Sequence, residues 1–326
     1  MYTQNYDIYT PVLHNERFQA LKTNYRLGDI TYNFDSNALR SNGLNALSFC
    51  FFVNWNNNYL SGTIDPHIWI KKGLAIHEKK RIDVQEPLLI EKFLSCEPLD
   101  AVINKSSFFG RYDLDLSYTI IWKAPLGTLP DNCNVIIELS YGDSGFQKNI
   151  INFGQLKNLL LQYSGRSIVM GKPLIYYETE LEKILSLDRS GRTAPFPGDC
   201  DLLLYDNNFR CRAIIEFKKR TSRGANISIA NQTISNYIEK DILKYRRLNL
   251  LRNYFEQKDE SIIPLLNIFY SVAGDKDDNK IKIETISHGL QSGITDYFEL
   301  PDFCDAKISH PIILQHILSV VDQYVT

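Results

Sequence analysis

The 326-residue chain has no apolar run approaching the roughly 18 uninterrupted residues that a membrane helix needs, and its first residues, Met1-Tyr2-Thr3-Gln4-Asn5, form neither a basic nor an apolar signal region. No membrane association is expected, and the cytoplasm is the expected location. Cysteine is sparse: Cys50, Cys96, Cys133, Cys200, Cys211 and Cys304 are scattered and form no Cys-x-x-Cys pair, which argues against a disulfide framework and a structural zinc site. The histidines His14, His67, His77, His288, His310 and His316 are equally dispersed, so a histidine metal cluster or a Cys/His nucleophile has no local support. No repeat period and no low-complexity tract is present, which argues against a solenoid or a tail.

What is present suits a globular chain of two domains. Hydrophobic residues make up 44% and charged residues 23%, enough apolar surface to offset the entropy of ordering. The net charge of −2 conceals an asymmetry. Between Arg210 and Arg252 stand eleven Lys/Arg and only three acids, Glu216, Glu239 and Asp241, so this window is strongly basic while the rest of the chain is acidic. Either a polyanion docks here or a helix presents a solvated basic face.

The first half reads mainly as strands. Leu47–Val53, His67–Ile70, Leu116–Trp122 and Val135–Leu139 are short, β-branched or aromatic, and separated by Gly, Pro, Asn and Asp; Pro87 to Leu94 reads as a helix. Trp55, Trp69 and Trp122, with Tyr59, Tyr112 and Tyr118, read as core of this β-rich part rather than as base-stacking residues. The character changes near Tyr163-Ser164-Gly165-Arg166, giving a domain over 1–165 and a second over 166–326.

The second half alternates. Tyr177, Leu181, Ile184 and Leu185 form a helical stripe closed by Asp188-Arg189-Ser190-Gly191. Leu202–Tyr205 and Cys211–Lys218 flank Asp206-Asn207-Asn208 as a hairpin. Apolar residues from Ile234 to Phe255 at three- and four-residue spacing predict one long amphipathic helix from about 227 to 255, and Ile262–Val272 follows as a buried strand. The fold class expected is α/β or α+β.

One constellation carries chemistry. In Ala213-Ile214-Ile215-Glu216-Phe217-Lys218 the side chains of Glu216 and Lys218 project from one face of a strand, and hairpin pairing brings Asp201, at the mouth of the preceding strand, towards Glu216. Two neighbouring carboxylates repel unless a cation separates them, and an all-oxygen set suits Mg²⁺ or Mn²⁺. A nearby lysine then offsets charge on a reacting phosphate. A similar text in the first half, Asp113-Leu114-Asp115-Leu116 followed by Val135-Ile136-Ile137-Glu138-Leu139-Ser140, has serine in place of the lysine and a longer connection containing Pro125 and Pro130, and reads as ordinary sheet.

Asp201 followed by an apolar strand and then Glu216-Phe217-Lys218 resembles the PD-(D/E)XK nuclease superfamily over residues 172–275. The resemblance implies a restriction-endonuclease-like core in the order αβββαβ, a mixed sheet flanked by helices, carrying an N-terminal β-rich domain. It implies metal-binding roles for Asp201 and Glu216, a catalytic role for Lys218, and a further acid from the preceding helix. Glu178 is favoured there over Glu182. Cys200 stands where the family often has proline, and Pro197-Gly198-Asp199 leaves Asp199 as a rival to Asp201. Gln232 and Tyr237 echo a Gln and a Tyr found in some relatives, at a spacing of five rather than four.

The function implied is a Mg²⁺-dependent (or Mn²⁺-dependent) nuclease in which metal-activated water attacks in line and leaves a 5′-phosphate. DNA is favoured over RNA, and a restriction or phage-defence endonuclease over a repair or recombination nuclease. Lys219, Arg220, Arg223, Lys240 and Lys244 are the expected nucleic-acid contacts. Double-strand cutters often act as symmetric pairs, so a homodimer is admitted. The alternatives are a non-catalytic nucleic-acid-binding module on the same scaffold and a structural protein in which Glu216 and Lys218 form a surface ion pair.

Overall fold

The computed structural model describes residues 36–56, 59–72, 86–121, 134–164, 197–220, 227–271, 274–301 and 306–325. The helix expected at Tyr177–Leu187, with Glu178 and Glu182, lies outside these residues, as do Arg223 and the expected domain boundary at 165. Among the described residues no helix is long and apolar enough to cross a membrane. The structure is a mixed α+β one and divides into two units. One takes Cys50–Trp55 and the described residues of Asp65–Pro197; the other takes those of Glu16–Phe49, Asn56–Ile64 and Gly198–Thr326.

The first unit is built on strands β1 (Leu44–Trp55, second half only), β2 (Gly62–Lys72, from Asp65 onward), β3 (Asp115–Ile121), β4 (Asn134–Gly142) and β5 (Gly145–Asn152), hydrogen-bonded in that order. Strands β2 and β3 run parallel, and β3, β4 and β5 run antiparallel. Three helices belong with them: α2 (Glu86–Cys96), α3 (Leu99–Arg111) and α4 (Phe153–Ser164). The unit is therefore more helical than the alternating strand signals suggest. Its core is aromatic: Trp69, Phe52 and Tyr163 meet with ring centroids 4.9–6.2 Å apart, and Trp69 and Tyr118 are buried, as the core reading of these residues requires.

The second unit carries α1 (Ser36–Ser41), the first half of β1, β6 (Gly198–Asp206), β7 (Cys211–Lys219), α5 (Ile238–Asp259), β8 (Leu265–Tyr270), β9 (Lys280–Ile286), β10 (Ser292–Glu299) and α6 (Ala306–Val325). The strand order is β10-β9-β8-β7-β6-β1, so the sheet is wider than the αβββαβ core implies. The hairpin β6–β7 is antiparallel with Leu202 opposite Ile215, and β8 lies parallel to β7 after the crossover through α5. Its turn follows from local chemistry, since Asp206 Oδ1 accepts the backbone N–H groups of Asn208 and Arg210 at 2.9 and 3.0 Å.

Period-two alternation sends Leu202, Leu204, Ile215 and Phe217 to one face, where Ile313, Leu314, Ile317, Val320 and Val321 of α6 cover them. Those α6 positions recur at three and four residues, the apolar stripe of an amphipathic helix. The opposite face presents a buried polar row. Glu216 pairs in register with Asn267, and Asn267 with Glu284, all fully buried.

The expected helix over 227–255 begins later, at Ile238. Before it lie two 3₁₀ turns, Ile229–Asn231 and Ile234–Asn236. The cause is non-local: Glu284 accepts the Thr233 hydroxyl and the Ile234 N–H, each at 2.8 Å, while the Asn236 side chain accepts the Thr233 N–H. A buried carboxylate holding those donors outweighs a helical stripe that would forgo them.

Candidate active site

The site forms on the polar face of β7 beneath the first turns of α5. Continuing the β6–β7 register by one residue sets Asp201 opposite Glu216. The Phe217 N–H donates to Asp201 Oδ2 at 2.9 Å, which fixes the carboxylate at the strand edge and leaves Oδ1 to face the cluster. Asp199 stands two residues earlier on the same face and is half-buried, while Asp201 meets β7 and Lys244.

From there the charges alternate. Lys244 Nζ lies 3.5 Å from Asp201 Oδ1 and 2.7 Å from Glu216 Oε1; Lys218 Nζ lies 3.1 Å from the same Glu216 oxygen and 2.6 Å from Asp241 Oδ2. The chain of contacts runs Asp241, Lys218, Glu216, Lys244, Asp201. Three carboxylates and two ammonium groups leave one negative charge over. Glu216 is 0% exposed, Asp201 and Lys218 each 7%, so these contacts are far less screened than surface ion pairs.

Asp241 reaches Lys218 because α5 is not regular there. Its backbone (φ −110°, ψ 17°) departs from helical values and kinks the first turn. Two rings flank the ammonium: Lys218 Nζ is 5.2 Å from the Tyr237 centroid and 5.1 Å from that of Tyr245. Tyr237 donates its hydroxyl to Gln232 Oε1 at 2.9 Å, so the structure joins these two residues despite their unusual spacing. Tyr245 donates to Asn267 Oδ1 at 3.0 Å. Burial, helped by Asp241, pushes the Tyr237 phenol up to about 12; burial, helped by Glu216, pushes Tyr245 higher still. Both hydroxyls stay protonated near pH 7, as their donation to Gln232 and Asn267 requires.

The basic window is used differently from the sequence expectation. Arg220, 3% exposed, pairs with Asp275 and Asp277, so it is withdrawn from the surface assigned to it. Arg252 is fully buried and donates to the Ile286 carbonyl and to Asn249. Arg246 donates to the Tyr59 carbonyl. Lys244 is a member of the carboxylate cluster. Of the expected nucleic-acid contacts, Lys240 is exposed and Lys219 half-buried. Asp241, which the sequence shows only as an acid within the basic window, joins the site here; its place one helical turn before Tyr245 is the signal for it.

A divalent ion fits this donor set in a limited way. Asp201 Oδ1 and Glu216 Oε1 converge on a single positive charge, the Lys244 ammonium, and both are hard oxygen donors. Among the described residues no group of three or more His, Cys, Asp or Glu is placed to hold a metal. Mg²⁺ is commonly held by one or two carboxylates with water and substrate phosphate completing its shell, and that is the arrangement this pair admits.

No family model and no curated protein matches the chain. Among solved structures, the crystal structure of the sex pheromone staph-cAM373 precursor aligns over 89% of this chain and 100% of that one, at 9% identity and a TM-score of 0.17, a likeness too slight to carry an argument.

Proposed function

We propose that the second unit hydrolyses phosphodiester bonds as a metal-dependent nuclease of the PD-(D/E)XK type, acting on DNA, with the first unit serving target recognition. One observation carries the reading: Asp201 and Glu216 meet across the β6–β7 hairpin at a single cationic point, with Lys218 projecting from the same strand face. The antiparallel hairpin followed by a parallel strand after a helical crossover also supports it. A restriction-type or defence endonuclease is the preferred role, because a large additional unit suits target selection.

Each side chain then has a task. Asp201 and Glu216 would hold Mg²⁺ or Mn²⁺. When bound, such an ion polarises a phosphate oxygen and lowers the pKa of a water ligand. Lys218, held from two sides by Glu216 and Asp241, keeps a positive charge beside the position where a phosphate would gain negative charge. Tyr237 and Tyr245 restrict the ammonium to that position and exclude water from its flanks. Asp241 acts through Lys218 and is a positioning residue.

The second reading, a binding module without cleavage, draws on Lys244 occupying the cation's place. Supercoiled plasmid, single-stranded DNA and RNA incubated with the full chain in Mg²⁺ or in EDTA separate the two. Cleavage in Mg²⁺ that EDTA abolishes is expected. Retained binding with no metal-stimulated cleavage on any substrate would favour the second.

A further inference from the structure

We infer that Lys244 is the resident counter-ion of Asp201 and Glu216, and that its side chain must swing out before a divalent cation can take up the same two carboxylates. The inference rests on the metal-site reading above and adds a competition to it. Glu216 is wholly buried and Asp201 nearly so, and two ionised, desolvated carboxylates facing each other repel unless a positive charge lies between them. Lys218 touches the same Glu216 oxygen as Lys244, but its second carboxylate is Asp241 and not Asp201. Lys244 touches both acids, at 2.7 and 3.5 Å from one oxygen of each.

The two lysines differ in freedom. The Lys218 side chain is 9% exposed and fenced by two tyrosine rings; the Lys244 side chain is 24% exposed. The helix beneath Lys244 is anchored by Tyr245, Leu248, Leu251 and Phe255, all fully buried, so exchange proceeds by rotation of the four-carbon stem and not by movement of α5. An ammonium and a divalent ion cannot share one point. The apparent metal affinity is therefore lowered by the fraction of molecules in which Lys244 is engaged, and removing the ammonium restores it.

The test is Mn²⁺ binding to the full chain without nucleic acid, read by EPR of free Mn²⁺ and by thermal shift, for the wild type, Lys244→Met, Lys244→Gln and Lys244→Arg. The neutral variants are expected to bind Mn²⁺ about tenfold or more tightly than the wild type and to show a larger metal-induced rise in Tm, while Lys244→Arg stays within about threefold. Should Lys244→Met not fold without metal, Lys244→Gln, which retains a polar head, supplies the comparison. Equal or weaker Mn²⁺ binding by the neutral variants overturns the inference. If that result accompanies Mg²⁺-dependent cleavage by the wild type, the inference falls alone; if no variant binds Mn²⁺ and the wild type does not cleave, the metal-site reading falls with it.

Discussion

Strand pairs β3–β4 and β6–β7 are both antiparallel, and each has an acid near the start of one strand and a glutamate inside the other. In the first, Glu138 lies opposite Thr119, and Asp115 is four residues earlier on β3, a separation of about 14 Å at strand rise. The Glu138 carboxylate accepts from Asn149 at 3.2 Å, and burial holds its carboxyl above the usual range. In the second, the register sets Asp201 opposite Glu216, and two ammonium groups converge on Glu216. The difference lies in register and in the residue two places after the glutamate, Ser140 against Lys218. Acid spacing in the text is thus a weak guide to chemistry, and pairing register with a cation supplied by the same strand face is a stronger one.

The contrast sharpens most with the lysine. Lys218→Ala is expected to lower metal-dependent cleavage by about 10²–10³, and Ser140→Lys introduced into that variant, which completes the textual pattern in the first unit, is expected to restore none of it. A plasmid-nicking assay on both variants, with circular dichroism to confirm folding, decides this.

A second contrast sets paired against unpaired charge. Burial alone would raise the carboxyls of Asp275 and Asp277, yet Arg220, bonded to both, and Lys280, bonded to Asp277, hold them below the usual range. Acids with depressed folded pKa values stabilise the protein above their ordinary range, and that stability is lost as pH falls through the folded values. Arg220→Ala leaves the buried Asp277 and the half-buried Asp275 short of their partner and is expected to cost about 3 kcal/mol near pH 7, with the difference from wild type shrinking on acidification. Urea unfolding from pH 7 down to pH 3 measures it; a pH-independent difference would contradict the assignment.

Tyr245→Phe removes the donor to the buried Asn267 Oδ1 and is expected to cost about 1–2 kcal/mol in the same assay. The smallest effect belongs to Glu138→Gln. The folded pKa of Glu138 is raised, so its contribution is greatest when protonated and declines as pH rises past the ordinary carboxylate value. The neutral amide is expected to change stability by less than about 1 kcal/mol, in the stabilising direction at pH 7 and towards zero at pH 4.

The sequence made legible whatever its near neighbours determine. The β6–β7 turn follows from Asp206 and the residues just after it, and the common face of Glu216 and Lys218 follows from strand periodicity. What stayed hidden depends on distant partners. The start of α5 is displaced by Glu284, some fifty residues away, and Arg220 is drawn inward by Asp275 and Asp277. Counting basic residues between 210 and 252 therefore overstated the charge presented outward. The approach of Lys244 to both acids depends on how α5 packs over β7, and the contact of Asp241 with Lys218 lies at a kink that no spacing rule encodes.

The most direct measurement is nicking of supercoiled plasmid in Mg²⁺ by wild type, Glu216→Gln and Glu138→Gln at equal, verified folding. The account predicts cleavage by the wild type and by Glu138→Gln within about twofold of each other, and loss of about 10³ or more for Glu216→Gln. Full cleavage by Glu216→Gln would contradict it.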